Sequence, residues 1–167
     1  QNEVFLVAPS DHLITEKEKF HEALSLGWKE VCLGKIVTFG IQPTRPETGF
    51  GYLELGQNTV SEPVELKNFI EKPALPKAEE MIQSGNFLWN SGIFMFRAKD
   101  MLELFAKITP ELFTKVKNSV EAGIEDLGFF RLGEKAWNSV ESISIDYAIM
   151  EKIENLSVVP FKAHWSD

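Results

Sequence analysis

Two acids, a lysine and a glycine-lined loop carry most of the chemistry this sequence can offer. Asp11 follows an apolar run at residues 4–8, and Asp167 comes just after a β-branched run at 156–161. Both runs read as strands, so both acids could face one crevice if the strands share a sheet. Hard carboxylate oxygens with open remaining positions suit Mg²⁺, which is held by one or two carboxylates together with substrate phosphates. Lys72 closes a third strand, residues 64–73, and supplies a point positive charge for a phosphate. Glu71 stands beside it, and the plain alternative is a solvated acid–base pair at a strand tip. In the loop 42–51, Pro43 and Pro46 fix φ while Gly49 and Gly51 permit backbone geometries closed to other residues. Such a loop is suited to bringing backbone N–H groups against a ligand, though it could equally be an ordinary tight connection. A metal, a lysine and such a loop together suit phosphoryl transfer, which needs positioning and charge neutralisation more than covalent help.

Other chemistries find little support. His12, His21 and His164 show no metal-ligand spacing. There is no nucleophile elbow and no Walker A loop. Cys32 lies in the apolar run Val31-Cys32-Leu33 and reads as a reduced core thiol rather than a nucleophile.

The elements that must position these groups follow in order. Residues 4–8 form a short apolar run expected of a parallel strand buried on both faces. Pro9-Ser10-Asp11-His12 is a turn at its carboxyl end. Thr15 with Glu18 reads as a capping box, opening a helix whose apolar face holds Phe20, Ala23, Leu24, Trp28 and Val31. Residues 35–41 are β-branched and strand-like, which completes a βαβ unit. Residues 51–55 form a strand expected to pair antiparallel with 64–73 across a turn at 56–58. In 64–73 apolar and polar residues alternate, so one face is buried, and Pro73 ends the strand. A helix at 77–84 is ended by Gly85. Residues 87–96 are apolar but broken by Asn90-Ser91-Gly92, which suggests a bulge or a close ligand approach. Two helices flank Pro110, with Leu102, Leu104, Phe105 and Ile108 as core, and Phe129 and Phe130 read as packing. Ser144 caps a helix start, and Asp146 in its first turn favours the helix dipole. A last strand covers 156–161.

The bulk numbers bound the answer. The chain has 167 residues, 44% hydrophobic, enough for one core and one domain. A formal net charge of −8 speaks against a nucleic-acid partner. No apolar run approaches the roughly 20 residues that span a bilayer, so no membrane partner is expected. A single cysteine favours a cytoplasmic location. The chain opens on a strand and ends without a tail, so a piece of a longer protein is expected.

The motifs, taken in order, resemble one family. They are Ala8-Pro9-Ser10-Asp11-His12, the run from Phe39 through Gln42-Pro43-Thr44-Arg45-Pro46-Glu47-Thr48-Gly49-Phe50-Gly51-Tyr52, Phe69-Ile70-Glu71-Lys72-Pro73, Trp89-Asn90-Ser91-Gly92-Ile93-Phe94, the run from Ser144 to Lys152, and Trp165-Ser166-Asp167. Together they resemble the mannose-1-phosphate guanylyltransferases (GDP-mannose pyrophosphorylases) of the bacterial type often fused to a phosphomannose isomerase. The resemblance implies an α/β fold, a nucleotide-diphospho-sugar transferase (Rossmann-like) sandwich with a mixed, mainly parallel sheet between helices. It implies guanylyl transfer from GTP to mannose 1-phosphate, with Asp11 and Asp167 on Mg²⁺ and Lys72 on the sugar-phosphate. Glu71 and Asn90 would meet sugar hydroxyls, Gly51 would offer its backbone to the sugar, and Thr48 and Gly49 would join the binding loop. A homodimer is compatible with it. The sequence departs from the pattern at Ser10, where alanine is usual, and at Phe50, where tyrosine is usual. The family's amino-terminal Gly-rich loop, the glycine-tryptophan continuation after Asp167 and any isomerase domain fall outside residues 1–167. The expectation is therefore the middle of a catalytic domain, holding the sugar-phosphate contacts and little of the nucleotide site. Two alternatives stay open: a glucose-1-phosphate type of nucleotidyltransferase, and a non-catalytic sugar-nucleotide-binding regulatory subunit.

Overall fold

A computed structural model of the chain describes residues 2–56 and 62–166. The chain divides into two compact units, one formed by residues 1–101 with 153–167 and the other by 102–152.

The first unit is built on a mixed sheet. Its strands are β1 (Val4–Val7), β3 (Ile36–Ile41), β4 (Tyr52–Leu55), β5 (Val64–Ile70), β6 (Phe87–Arg97) and β9 (Leu156–Phe161), in the spatial order β1-β6-β3-β9-β5-β4. β3 and β9 pair parallel and the other pairings are antiparallel, so β1, β3, β4 and β9 run one way and β5 and β6 the other. Among the described residues the eleven-residue β6 is the longest strand, and it alone pairs with three others, β1, β3 and β4. Two short strands, β2 (Leu13–Ile14) and β10 (Trp165–Ser166), make a separate antiparallel ladder that the apolar pattern does not announce.

Helix α1 (Lys17–Cys32) connects β1 to β3, and β6 lies between those two parallel strands. All six residues of β3 are buried, as a strand covered on both faces should be. Ala23, Gly27 and Val31 are the buried residues of α1, and Gly27 sits close enough to Val37 and Phe39 that a Cβ there would be 3.2 Å from the Phe39 ring. Helix α2 (Leu75–Ser84) follows β5, with proline in its first turn and Gly85 as its C-cap. Ala78 and Met81 from α2 join Val37, Phe39, Trp89 and Val159 in one apolar cluster.

Several sequence expectations are corrected here. β1 is not buried on both faces: it is an edge strand with β6 as its one neighbour, and Phe5 is half exposed. The N-cap of α1 is Glu16, not Thr15, and no side chain caps it. Glu16 is drawn elsewhere, pairing with Lys19 and accepting the His164 backbone N–H at 2.7 Å. Trp28 and Cys32 lie on the exposed side of α1, because the residues that meet the sheet recur at Ala23, Gly27 and Val31. The turn expected at 56–58 falls largely outside the described residues.

The second unit is helical. It holds most of α3 (Ala98–Ile108), α4 (Pro110–Glu121), a hairpin of β7 (Ile124–Asp126) and β8 (Phe129–Arg131), and the single-turn helices α5 (Glu134–Trp137) and α6 (Ile145–Ala148). The Ser144 hydroxyl accepts from the Tyr147 N–H, so the expected cap is real. Leu102 is half exposed, and Phe129 and Phe130 are exposed on the two-stranded hairpin, which is too short to bury them. An apolar groove in this unit, lined by Phe105, Phe113, Trp137 and Ile143, is unsuited to a phosphate.

One carboxylate ties α1 to β9. The Glu30 carboxylate accepts from Lys35 Nζ at 2.8 Å and from Ser157 Oγ at 2.9 Å. Burial alone would raise its pKa, but the Lys35 and Ser157 hydrogen bonds outweigh that and hold the group below 4.5. A carboxylate depressed in the folded state contributes stability above its unfolded pKa and loses it as pH falls through the folded value. Glu30→Gln should therefore flatten the fall in urea midpoint below pH 4.5, and an unchanged acid slope would show that Glu30 does not contribute.

Candidate active site

The end of β5 places the acid and the base. The pairing Tyr52↔Ile70 brings Gly51 alongside Glu71, and Tyr52↔Trp89 brings it alongside Asn90, whose N–H donates to the Gly51 carbonyl at 2.8 Å. Gly51 is needed for this approach: a Cβ there would lie 2.5 Å from Glu71 Oε2 and 3.3 Å from Asn90 Cβ. Glu71 is buried, and Lys72 extends beside it with Nζ 3.5 Å from Glu71 Oε1 and more than half its side chain in solvent. Lys72 has φ 46°, the left-handed region, directly before Pro73. A long side chain in that conformation is strained, and such strain persists where surrounding structure imposes it. Gly51, Glu71, Lys72 and Asn90 are thus brought to one rim.

Asn90 is fixed by the irregularity in β6. Register runs Thr38↔Phe94 and then Gly40↔Asn90, so β6 carries extra residues opposite Phe39. Gly92 takes φ 70° at the bulge. The Thr38 hydroxyl, fully buried, donates to Asn90 Oδ1 at 2.9 Å, and the Gly92 N–H donates to the same oxygen at 3.2 Å. With the oxygen assigned by this network, the side-chain NH₂ is the donor end of Asn90.

The acid turn lies against the same bulge. Val7↔Phe94 ends the β1 ladder, and the chain turns through Pro9 to Asp11 so that a Cβ at Gly92 would be 3.5 Å from Pro9 Cγ and 4.0 Å from His12 Cε1. Asp11 is exposed there. β2 then pairs with β10 in the register Leu13↔Ser166 and Ile14↔Trp165. Asp167 lies outside the described residues, and its neighbour Ser166 is thereby held two residues from Asp11. Among the described residues no group of three or more His, Cys, Asp or Glu side chains converges as a ready-made metal site. The exposed Asp11 carboxylate is of the hard-oxygen type that suits Mg²⁺, which takes few protein ligands.

The loop between β3 and β4 is organised differently from the expectation. The Thr48 and Gly49 N–H groups donate to Glu47 Oε1 at 3.1 and 3.2 Å, so the loop's own carboxylate engages them. Arg45 pairs with Glu47 Oε2 at 3.0 Å, and the buried Tyr52 hydroxyl donates to the Glu47 carbonyl at 2.8 Å. The Gly49 N–H and then Arg45 hold the Glu47 carboxyl below its usual range. Arg45 also sits over the Trp89 ring, 5.5 Å from its centroid. Phe50 is edge-on to both Trp89 and Trp165, and Trp165 is edge-on to His12. Trp89 Nε1 is buried without a hydrogen-bond partner beneath this cover. Thr38, Phe50 and Trp165 escape sequence reasoning because their roles rest on contacts between segments far apart in the chain, whereas Glu47 acts within its own loop, where a lone glutamate gives no turn signal. The turn-forming loop and the interrupted strand were the available signals.

The family model for nucleotidyl transferases matches residues 1–167. The chain belongs to the nucleotidyl transferase family. It is 43% identical over 164 residues to the xanthan biosynthesis protein XanB of Xanthomonas campestris, covering 98% of this chain and 35% of that protein. It is 40% identical to the mannose-1-phosphate guanylyltransferase of Salmonella montevideo, covering all of this chain and 36% of that one. The crystal structure of mannose-6-phosphate isomerase from Helicobacter pylori superposes with a TM-score of 0.89 at 34% identity, covering 98% of this chain and 64% of the other. The chain spans about a third of the length of the curated relatives it matches. Within this nucleotidyl transferase the mixed α/β sheet expected from the sequence is present, and it sets Gly51, Glu71, Lys72 and Asn90 beside the Asp11 turn.

Thr38 supplies a direct test of how the rim is held. Thr38→Val keeps the shape and removes the donor to Asn90, which should cost about 1–3 kcal/mol in urea unfolding. Thr38→Ser keeps the hydroxyl and should lose less, and equal losses from the two would assign the effect to packing instead.

Proposed function

We propose that the full-length protein transfers a guanylyl group from GTP to mannose 1-phosphate, giving GDP-mannose and pyrophosphate. The observation that carries this reading is the convergence of Gly51, Glu71, Lys72 and Asn90 on one rim next to the Asp11 turn. A sugar phosphate offers hydroxyls and a dianion, and the rim offers an amide donor, a carboxylate acceptor and an ammonium in that neighbourhood. Lys72 holds the phosphate as a point charge. Glu71 accepts from sugar hydroxyls, the Asn90 NH₂ donates to them, and the tight Gly51 backbone leaves room for the ring. Thr48 and Gly49 shape the adjoining wall through Glu47. Likeness to the mannose-1-phosphate guanylyltransferase of Salmonella montevideo supports mannose 1-phosphate as the sugar.

In the reaction a phosphate oxygen of mannose 1-phosphate attacks the α-phosphorus of GTP in line. The bond from that phosphorus to the bridging oxygen breaks, and pyrophosphate leaves with the electron pair. The attacking phosphate is already anionic near neutral pH, since its second pKa is about 6. No general base is required, and none is assigned. Asp11 and Asp167 would hold Mg²⁺, which supplies neutralisation of charge on the phosphates when bound. The pairing of Leu13 with Ser166 supports the two acids serving one ion. A cytoplasmic location is part of this proposal; among the described residues no helix is long and apolar enough to cross a membrane.

Lys72→Ala in the full-length protein should raise the KM for mannose 1-phosphate roughly 10- to 100-fold while the KM for GTP stays within about twofold. Unchanged kinetics for the sugar phosphate would remove Lys72 from the site. Residues 1–167 by themselves hold no triphosphate-binding loop, so this segment alone should show no turnover in a pyrophosphate-release assay. Measurable turnover by the segment would overturn that assignment. Running the same assay on the full-length protein across nucleoside triphosphates and sugar phosphates separates the mannose reading from a glucose-1-phosphate enzyme, and silence with all of them favours a regulatory binding subunit.

A further inference from the structure

Trp165 touches both the acid turn and the loop wall of the rim. Its indole N–H donates to His12 Nδ1 at 3.2 Å, with the two rings 5.2 Å apart and edge-on. On its other side the Phe50 ring packs edge-on at 5.4 Å, and Phe50 in turn meets Trp89 at 5.3 Å. The bond to the indole requires Nδ1 to be an acceptor, so the neutral ring carries its proton on Nε2. His12 directly follows Asp11, and Phe50 directly precedes Gly51. A residue 153 positions away from His12 in the chain therefore bridges the Asp11 turn and the loop before Gly51, and the turn also lies against the β6 bulge at Gly92.

We propose that Trp165 is a positioning residue that couples the Asp11 turn to the sugar-side loop, so that sugar-phosphate binding at Gly51 and the geometry of the Asp11 turn are set together. It touches neither substrate; it acts through His12 and Phe50. The proposal rests on the guanylyl-transfer reading for its kinetic test alone. Coupling through packed side chains of this kind is worth a few-fold to a few tens-fold in binding, and it is reciprocal.

The test uses the full-length protein with Trp165→Phe, His12→Leu, His12→Asn and Phe50→Leu. Trp165→Phe keeps an aromatic ring and removes the donor. His12→Leu removes the acceptor, whereas His12→Asn places a carbonyl oxygen close to where Nδ1 stood. Expected are a KM for mannose 1-phosphate raised about tenfold in Trp165→Phe and in His12→Leu, with GTP KM within about twofold. The double variant should be no worse than either single, because both remove the same bond. His12→Asn should recover most of the loss. An additive double variant, or His12→Asn no better than His12→Leu, would overturn the assignment. A second readout needs no turnover: the ¹H–¹⁵N indole resonance of Trp165, identified by its loss in Trp165→Phe, should shift when mannose 1-phosphate is titrated in. That shift should be lost in Phe50→Leu, and the resonance should move in His12→Leu without ligand. An indole signal indifferent to both would sink the coupling even where guanylyl transfer is confirmed. Absence of transfer with a sugar-responsive indole would sink the proposed reaction and keep the coupling. Should Trp165→Phe fail to fold, the His12 and Phe50 variants decide the matter.

Discussion

The interaction on which the site depends is the buried hydrogen bond from Thr38 to Asn90 at the break in β6. β6 must pair with β1 at one end and with β4 at the other, while β3 runs beside its middle. In a regular ladder a one-residue change of register turns every side chain to the opposite face. Here the register shifts by two residues, so the alternation of faces is the same at both ends of β6 while the polar Asn90 and Ser91 are accommodated in the strand opposite Phe39. That solution holds only if the buried amide is satisfied, since an unpaired buried polar group costs about 1–3 kcal/mol. Thr38 and Gly92 meet the requirement from two directions. The orientation of the Asn90 amide is thus set by what the sheet needs at this break.

The rim is then assembled by neighbours rather than by its own residues. Gly51 reaches Glu71 because β4 and β5 pair, and reaches Asn90 because β4 and β6 pair. The Asp11 turn is carried to the same bulge by β1, and β10 is latched to it by a ladder two residues long. A two-residue ladder is weak on its own. The Trp165–His12 bond, the Glu16–His164 bond and the Phe50 ring add side-chain contacts at that latch. In the loop, Glu47 serves Thr48, Gly49 and Arg45 at once, so a single carboxylate does for the backbone what a ligand was expected to do.

Much of this was legible in the sequence, and the division between what was and was not is physical. The strand from Val64, the antiparallel partner at Tyr52, the Ser144 cap and the interruption at Asn90 are local signals, and the structure has each of them, with the strand ending at Ile70, three residues short of Pro73. Lys72 and Glu71 were placed at a strand end from alternation alone. What failed depended on which face or edge an element occupies. Val4–Val7 reads as a doubly covered strand by composition, yet it lies at an edge. Cys32 and Trp28 are apolar in type but one step off the buried stripe of α1. The β2–β10 latch could not be foreseen, because a two-residue strand carries no periodicity.

The conformation of Lys72 bears on why a lysine stands there at all. Ile70 is the last residue of β5 and Pro73 cannot extend it, so the two intervening residues must turn the chain toward α2 within a very short span. A glycine would take φ 46° at lower cost, and asparagine is the usual second choice. Turn geometry alone would therefore have selected one of those. A lysine in that position accepts backbone strain of order 1–3 kcal/mol and gains nothing by burial, since most of its side chain is in solvent. Its ion pair with Glu71 at 3.5 Å cannot offset that strain, because a pair with one partner so exposed is worth at most about 1 kcal/mol. What the strained backbone does hold in place is the ammonium, at the rim beside the Glu71 carboxylate and the fixed Asn90 amide. Under the proposed reaction that ammonium meets the sugar phosphate, and the strain accepted at Lys72 supports the proposal.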